Sequence, residues 1–377
     1  MGIFNFLKKP KIGVGVSIHE ATPDELCRQK YDEIQQIKEL QRNSFPSKNG
    51  LRPHEILMLY YAPSYSVNET SFPQFWYYEY AIDNPRKVLD SLNNRGFIRK
   101  ASAKESIGAL TVDNLKYMLK SSGIKPIGKK EALIQLVQAN IDEQVLESEI
   151  QNRKYALTQL GASELNENEY VPYMHKYKYK NISVWDINKD MQSYPPHLWR
   201  DCIWGRLNRI YCDLIKAVPQ NINRSMLSGL LYQQAEFLME ENKIAAAFDL
   251  VVDGIYIDAN YNAVFQFENE IELHINKIKT DDILSYAEIV FNHYGCGLIL
   301  IKKVYGDVSK SGINEMLEKA WISRKLQDIW ISKSEFFQLI LSNIFGDNLT
   351  FVDVCNNIQE RILKNYKYAK TKRNGIP

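Results

Sequence analysis

The stretch from Ser106 to Ile141 constrains this chain most, because it spells two amphipathic helices around a turn that few residue types can make. Leu115, Met118 and Leu119 recur at helical spacing after Thr111, a favoured helix-capping residue preceded by Leu110. Ser122-Gly123 stops that helix, since glycine accepts the left-handed conformation found just beyond helix ends. Pro126 and Gly128 hold a short turn. A second helix follows, with Leu133, Leu136 and Val137 on its inner face. Lys129 and Lys130 fall in its first turn, where the helix dipole disfavours cations. Helix stability does not account for them there, and a phosphate backbone is the expected partner.

These residues resemble the SAP domain, a helix-extended-helix DNA-binding module. The likeness runs through Leu110-Thr111-Val112, Leu115-Lys116, Leu119, Gly123-Ile124, Gly128-Lys129-Lys130 and Leu133-Ile134. It covers about a tenth of the chain (106–141) but nearly a whole module of that kind. The resemblance implies binding to duplex DNA with low sequence preference and a leaning towards AT-rich sites. The expected contacts are Lys120, Lys125, Lys129 and Lys130, with the amides after Gly128 adding hydrogen bonds to phosphate.

The flanks predict a second module. Arg52-Pro53-His54-Glu55 opens a helix carrying Ile56, Leu57, Leu59 and Tyr60. Asn84-Pro85-Arg86-Lys87 opens another, which ends at Asn94-Arg95-Gly96 and runs into a strand at Phe97-Ile98-Arg99. No partner strand lies between Ala101 and Ile150. The next candidate is Arg153 to Thr158, followed by a helix through Leu165. An isolated short strand leaves its backbone groups unpaired, so these two segments should pair across the intervening helices. The pattern Tyr155-Ala156-Leu157-Thr158 with Leu160-Gly161 resembles the wing strand and following helix of bacterial winged-helix proteins. The expected fold class is therefore mainly α. A SAP module sits in the wing of a discontinuous winged-helix domain (51–100 plus 151–168), and a helical carboxy-terminal region follows. Arg86, Lys87 and Arg95 become secondary DNA contacts.

The remainder is less distinctive. Residues 1–20 read as a loose tail, and 21–50 as a mostly polar helix and connector. Tyr170 to Asn181 alternates aromatic and basic residues, which predicts an edge strand with Lys176, Lys178 and Lys180 on one face. Residues 182–370 read as helices, with a tetratricopeptide-like hairpin at 225–256. Gly229, Ala235 and Ala245 to Ala247 mark its close approaches. Further helices are expected over 281–294, 311–325, 332–344 and 350–370, while 298–301 reads equally as strand or helix. This half is expected to recruit a protein partner or to self-associate. Arg361, Lys364, Lys367, Lys370, Lys372 and Arg373 make the end basic, with a basic tail over 371–377.

Composition narrows the class. The formal net charge is +2, so any nucleic-acid surface must be local. Abundant Tyr, Lys, Asn and Ile fit an AT-rich genome, which with the wing motif suggests a bacterial or phage protein, or one from a mobile element. Cys27, Cys202, Cys212, Cys296 and Cys355 show neither paired nor ligand spacing, which fits a reducing cytoplasm and supports neither disulfides nor zinc. No apolar run reaches membrane-spanning length, and no secretory leader is evident at the amino terminus. The acidic run Phe267 to Glu272 reads as a solvated loop. A metal-dependent nuclease using Glu268, Glu270 and Glu272 is the alternative it raises, although the D…ExK pattern is missing. The histidines lack catalytic or metal-binding spacing. The expectation is thus a non-enzymatic DNA-binding protein with no catalytic residue, metal or cofactor. A protein-interaction scaffold without DNA affinity is the other alternative.

Overall fold

The computed structural model describes residues 23–179, 181–217, 224–275, 284–305 and 309–374. The protein is mainly helical. It divides at Ile203/Trp204 into two compact units. Residues 182–203, expected with the carboxy-terminal half, group with the first unit.

The first unit is built on helix α2. Helix α1 (Pro23–Asn43) precedes it, and α2 (Pro53–Tyr61) buries Ile56, Leu57, Met58 and Leu59. Arg52 joins the two: its guanidinium donates to the carbonyls of Gln41 (3.1 Å) and Arg42 (2.8 Å) at the end of α1. Such basic caps satisfy carbonyls that have no partner within the helix. A short aromatic turn, α3 (Phe75–Tyr78), leads to α4 (Pro85–Asn94), whose Asn84 side chain caps its first turn. Gly96, at φ +78°, ends α4, and Phe97 N–H closes the turn on the Leu92 carbonyl (3.0 Å).

Strand β1 (Ile98–Lys100) follows. The chain then makes a helical excursion through α5 (Ala103–Ser106), α6 (Val112–Ser121), α7 (Lys130–Asn140) and α8 (Glu143–Glu149). It returns as β2 (Tyr155–Leu157), which pairs antiparallel with β1 in the register Ile98–Leu157, Arg99–Ala156 and Lys100–Tyr155. The other edge of β2 meets residues 65–67: Val67 N–H donates to Arg153 O (2.7 Å), and Ser66 bridges Lys154.

Helix α9 (Gln159–Glu167) explains the Thr158-x-x-Gly161 spacing. Thr158 Oγ1 accepts from Gly161 N–H (3.2 Å) and donates to Gly96 O (2.7 Å). A β-carbon on Gly161 would stand 2.1 Å from the Phe97 carbonyl oxygen. Only glycine lets α9 press onto the turn that ends α4.

The excursion has its own core of Ala103, Ile107, Leu115, Leu119, Leu133, Val137 and Leu146. Two ion pairs grip its ends. Arg99 on β1 binds Glu105 of α5 in a fork (2.7 and 2.8 Å), and Arg153 before β2 binds Glu147 of α8. Glu147 also accepts from Ala103 N–H (3.2 Å), which ties α8 to α5.

Tyr170 to Asn181 is not a strand. It forms α10 (Tyr170–Tyr177), with Tyr170, Val171 and Met174 buried, and turns at Lys178 in a left-handed conformation (φ +45°). Pro172 falls in the first helical turn, where an amide hydrogen has no helical partner to lose. Lys178 is engaged by Glu79 (2.6 Å) and Lys176 by the Tyr177 hydroxyl (3.0 Å). Lys180 lies outside the described residues. The unit closes with α11 (Val184–Asp190), packed on α2 and α10.

Helix α12 (Trp199–Ala217) carries the unit boundary. The second unit then comprises α13 (Arg224–Glu240), α14 (Ile244–Ile257), a π turn over Asp258–Asn262, α15 (Ala263–Ile275), α16 (Tyr286–Tyr305), α17 (Lys310–Ser323), α18 (Lys333–Phe345) and α19 (Asn348–Asn374). One continuous core runs through it. Of the small residues expected to mark close approaches, Ala235 and Ala247 are fully buried in this core, but Gly229 faces open space; β-carbons on Gly254 and Gly297 would instead meet the Tyr232 ring at 2.5 and 3.0 Å. Residues 298–301, ambiguous in sequence, lie within α16. No described helix is long and apolar enough to cross a membrane.

Gly161→Ala is expected to cost about 1–3 kcal/mol, the range of overpacking a tight contact, read as a lower urea midpoint. The clamp on the excursion should be acid-sensitive. Arg99, then the Ser102 backbone, holds the Glu105 carboxyl down at about 2 from an ordinary 4.5. Its stabilisation is therefore fully present above pH 4.5 and is lost as the pH falls towards 2. Glu105→Gln is expected to lower the urea midpoint near neutral pH and to lower it less at about pH 3.

Candidate nucleic-acid interface

The turn between α6 and α7 gathers the expected DNA-binding residues. Thr111 Oγ1 accepts from Asn114 N–H (3.2 Å) and starts α6. At its other end Gly123 is left-handed (φ +73°), and Ile124 N–H closes on Leu119 O (2.8 Å). The chain then crosses Lys125, Pro126 and Ile127 to Gly128, at φ +103°. A β-carbon at Gly128 would lie 2.7 Å from the Ala132 β-carbon. Gly128 thus serves both backbone conformation and close approach to the first turn of α7.

Lys129 is the N-cap of α7, in extended conformation, with no side-chain cap. The amides of Lys130, Glu131 and Ala132 have no acceptor among the described residues. They are partly positive donors at a helix start, the arrangement that binds phosphate oxygens. Around them Lys120, Lys125 and Lys129 are exposed and Lys130 is half-buried. Among the described residues, none of the four forms an ion pair. Lysines without a partner carry their full charge to solvent, where an oxyanion can meet it.

Charge is segregated along this module. Residues 116–130 hold five lysines (116, 120, 125, 129, 130) and no acid, whereas 131–149 hold five acids (131, 142, 143, 147, 149) and no base. The near-neutral total therefore conceals a local cationic surface. Two residues there were not among the expected contacts. Lys116 stands one turn before Lys120 on α6, and Tyr117 beside it is 67% exposed, as Ile127 is 61% exposed in the turn. Their signal was the spacing of outward positions on α6, opposite the leucine stripe.

The secondary candidates on α4 are placed differently. Arg95 donates to Glu55 (2.7 Å) and to Gly50 O (3.0 Å), and lies over the Phe97 ring (5.3 Å). It fastens the end of α4 to the start of α2. Arg86 pairs with Asp90 one turn along (3.4 Å). Lys87 is exposed and makes no ion pair among the described residues.

The acidic residues do not converge. Phe267 to Glu272 lies in helix α15, not in a loop. Glu268 is buried at 9% exposure, and burial, then the Glu272 charge, pushes its carboxyl up to about 7. Asp253 binds Arg324, and Asp258 accepts from the Tyr232 hydroxyl (2.7 Å). Among the described residues no group of three His, Cys, Asp or Glu side chains is placed to hold a metal ion. His54 is half-buried, and burial, then the Arg52 charge, lowers it to about 4; His175 packs among Tyr61, Phe75 and Tyr80. At the carboxy terminus Arg361 is bound to Glu335 and the Trp330 carbonyl. The side chains of Lys367, Lys370, Lys372 and Arg373 lie outside the described residues.

No protein-family model matches the chain, and neither a curated protein nor a solved structure matches it.

Gly128→Ala is expected to destabilise the excursion by more than about 1 kcal/mol, since alanine gains strain at positive φ and meets Ala132. Faster hydrogen exchange of α7 amides would register it.

Proposed function

We propose that this protein binds duplex DNA through the lysine-bearing turn of a SAP-like module, displayed from the wing of a winged-helix-like unit. The observation that carries the reading is the coincidence of Lys120, Lys125, Lys129 and Lys130, free of ion pairs among the described residues, with the uncapped amides of Lys130 to Ala132. Lysines supply sequence-independent attraction, and amides at a helix start fix the phosphate register. A neutral module would need neither. Affinity for AT-rich duplexes with little base readout follows from the SAP resemblance. Lys116 and Tyr117 extend the same surface.

In this reading the winged-helix-like unit is chiefly a mount. Arg95 and Arg86 are held by Glu55 and Asp90, so α4 offers Lys87 alone as a strong phosphate contact. The second unit would recruit a partner or a second copy. A scaffold without DNA affinity is the competing reading, and charge reversal separates the two.

With four phosphate contacts, affinity is expected to fall on the order of 100-fold between 50 and 200 mM salt. Lys129→Glu/Lys130→Glu should abolish most binding with an unchanged circular dichroism spectrum and melting temperature. Equal affinity of the variant and the parent protein, measured by fluorescence anisotropy, would leave the scaffold reading standing.

A further inference from the structure

The second unit contains a cleft of about 520 Å³ between α12, α13, α14 and the end of α17. Its volume lies within the range of small-molecule sites, about 300–1,000 Å³. Trp204, Asn208 and Tyr211 follow one another at helical spacing along one wall. Trp204 is stacked on Phe237 (centroids 5.6 Å apart, planes 21°), which fixes its ring as a flat surface. Asn208 Oδ1 accepts from Gln234 Nε2 (3.1 Å), so two amide groups lining the cleft are held in a set orientation. Asp249 enters from α14.

The opposite side is the turn Ser323-Arg324-Lys325. Asp253, with no exposed surface, takes both Nε and one Nη of Arg324 on a single carboxylate oxygen. Its other oxygen is buried without a hydrogen-bond partner. A buried ion pair left partly unsatisfied is poor evidence for a stabilising role. What it does accomplish is orientation: Nη1 of Arg324 is left without a partner among the described residues. Lys325 adds a second anomaly. It occupies the left-handed position after α17 (φ +55°), closing a turn in which Leu326 N–H reaches Trp321 O (3.0 Å). Glycine or asparagine normally fills that position. Lys178 shares this conformation, but its ammonium is held by Glu79. Lys325 has no such partner among the described residues, so neither backbone nor ion pairing accounts for a lysine there.

We propose that this cleft is a binding site for a mononucleotide. Arg324 Nη1 and Lys325 Nζ meet the phosphate, which the carboxylate of Asp253 keeps oriented by holding the guanidinium from behind. Trp204 and Tyr211 face the base. The Asn208–Gln234 amides contact its edge, and Asp249 accepts from a ribose hydroxyl or an exocyclic amine. Apolar Leu238 and Leu250 line the floor. This site is independent of the lysine turn, so the two readings can fail separately.

The test is calorimetric titration of the full-length protein with the four ribonucleoside 5′-monophosphates, the matching nucleosides and inorganic phosphate. At least one monophosphate should bind with Kd below about 1 mM, and at least about tenfold more tightly than its nucleoside or phosphate alone. Lys325→Gly relieves the left-handed strain and should melt at the same temperature or higher, yet lose about tenfold in nucleotide affinity. Lys325→Asn should behave likewise. Both variants should keep the DNA affinity of the parent protein. Absence of binding by all four monophosphates, equal affinity for a nucleoside, or undiminished affinity in both folded variants would overturn the proposal.

Discussion

Three residue pairs between β1 and β2 close the chain around a whole folded module, and the first unit depends on that closure. If residues 101–154 were a flexible loop, joining their ends would cost on the order of 3–4 kcal/mol in chain entropy. The module avoids much of that cost because it folds on its own core with its ends already adjacent. Arg99–Glu105 and Arg153–Glu147 fix those ends from both sides of the sheet. Thr158 and Gly161 then lock the returning strand against the end of α4. The lysine turn is therefore mounted on a short, clamped stem rather than on a tether. A surface held that way loses less freedom when it meets a rigid duplex.

Much of the first unit could be read from sequence because its elements carry local chemical marks. Thr111, Asn84 and Ser122-Gly123 are caps with a mechanism, and all three sit at the helix ends where that mechanism places them. The pairing of residues near Ile98 with residues near Ala156 followed from hydrogen-bond accounting, which holds at any separation along the chain. Tyr170 to Asn181 misled for a physical reason. Alternation of tyrosine and lysine imitates a strand, while the signal that decided the matter was burial of Tyr170, Val171 and Met174 at helical spacing. Phe267 to Glu272 misled in the same way: a run of acids suggests solvent, yet Phe267, Glu268 and Ile271 face the core of the second unit. Tertiary burial outweighed local polarity in both.

The candidate interface was legible in part. Its lysines and Gly128 were recognisable from spacing, but their freedom from ion pairs was not, since acids distant in sequence can meet a lysine once the chain folds, as Glu79 meets Lys178. Arg95 shows the converse. It looked like a phosphate contact and instead joins α4 to the start of α2 through Glu55 and Gly50. The Trp204–Lys325 cleft was hidden altogether, because it draws on four elements spread over more than a hundred residues and no motif marks any of them. Only Lys325 at a left-handed helix end carries a trace, and φ is not visible in a sequence.

Direct mapping of the DNA footprint tests the central claim with least inference. Hydrogen–deuterium exchange of the full-length protein, with and without an AT-rich duplex at low salt, reads the backbone amides themselves. The account predicts slowed exchange concentrated over residues 120–132, with little change in α4. Protection centred on α4 with residues 120–132 unaffected, or no protection at saturating duplex, would contradict it.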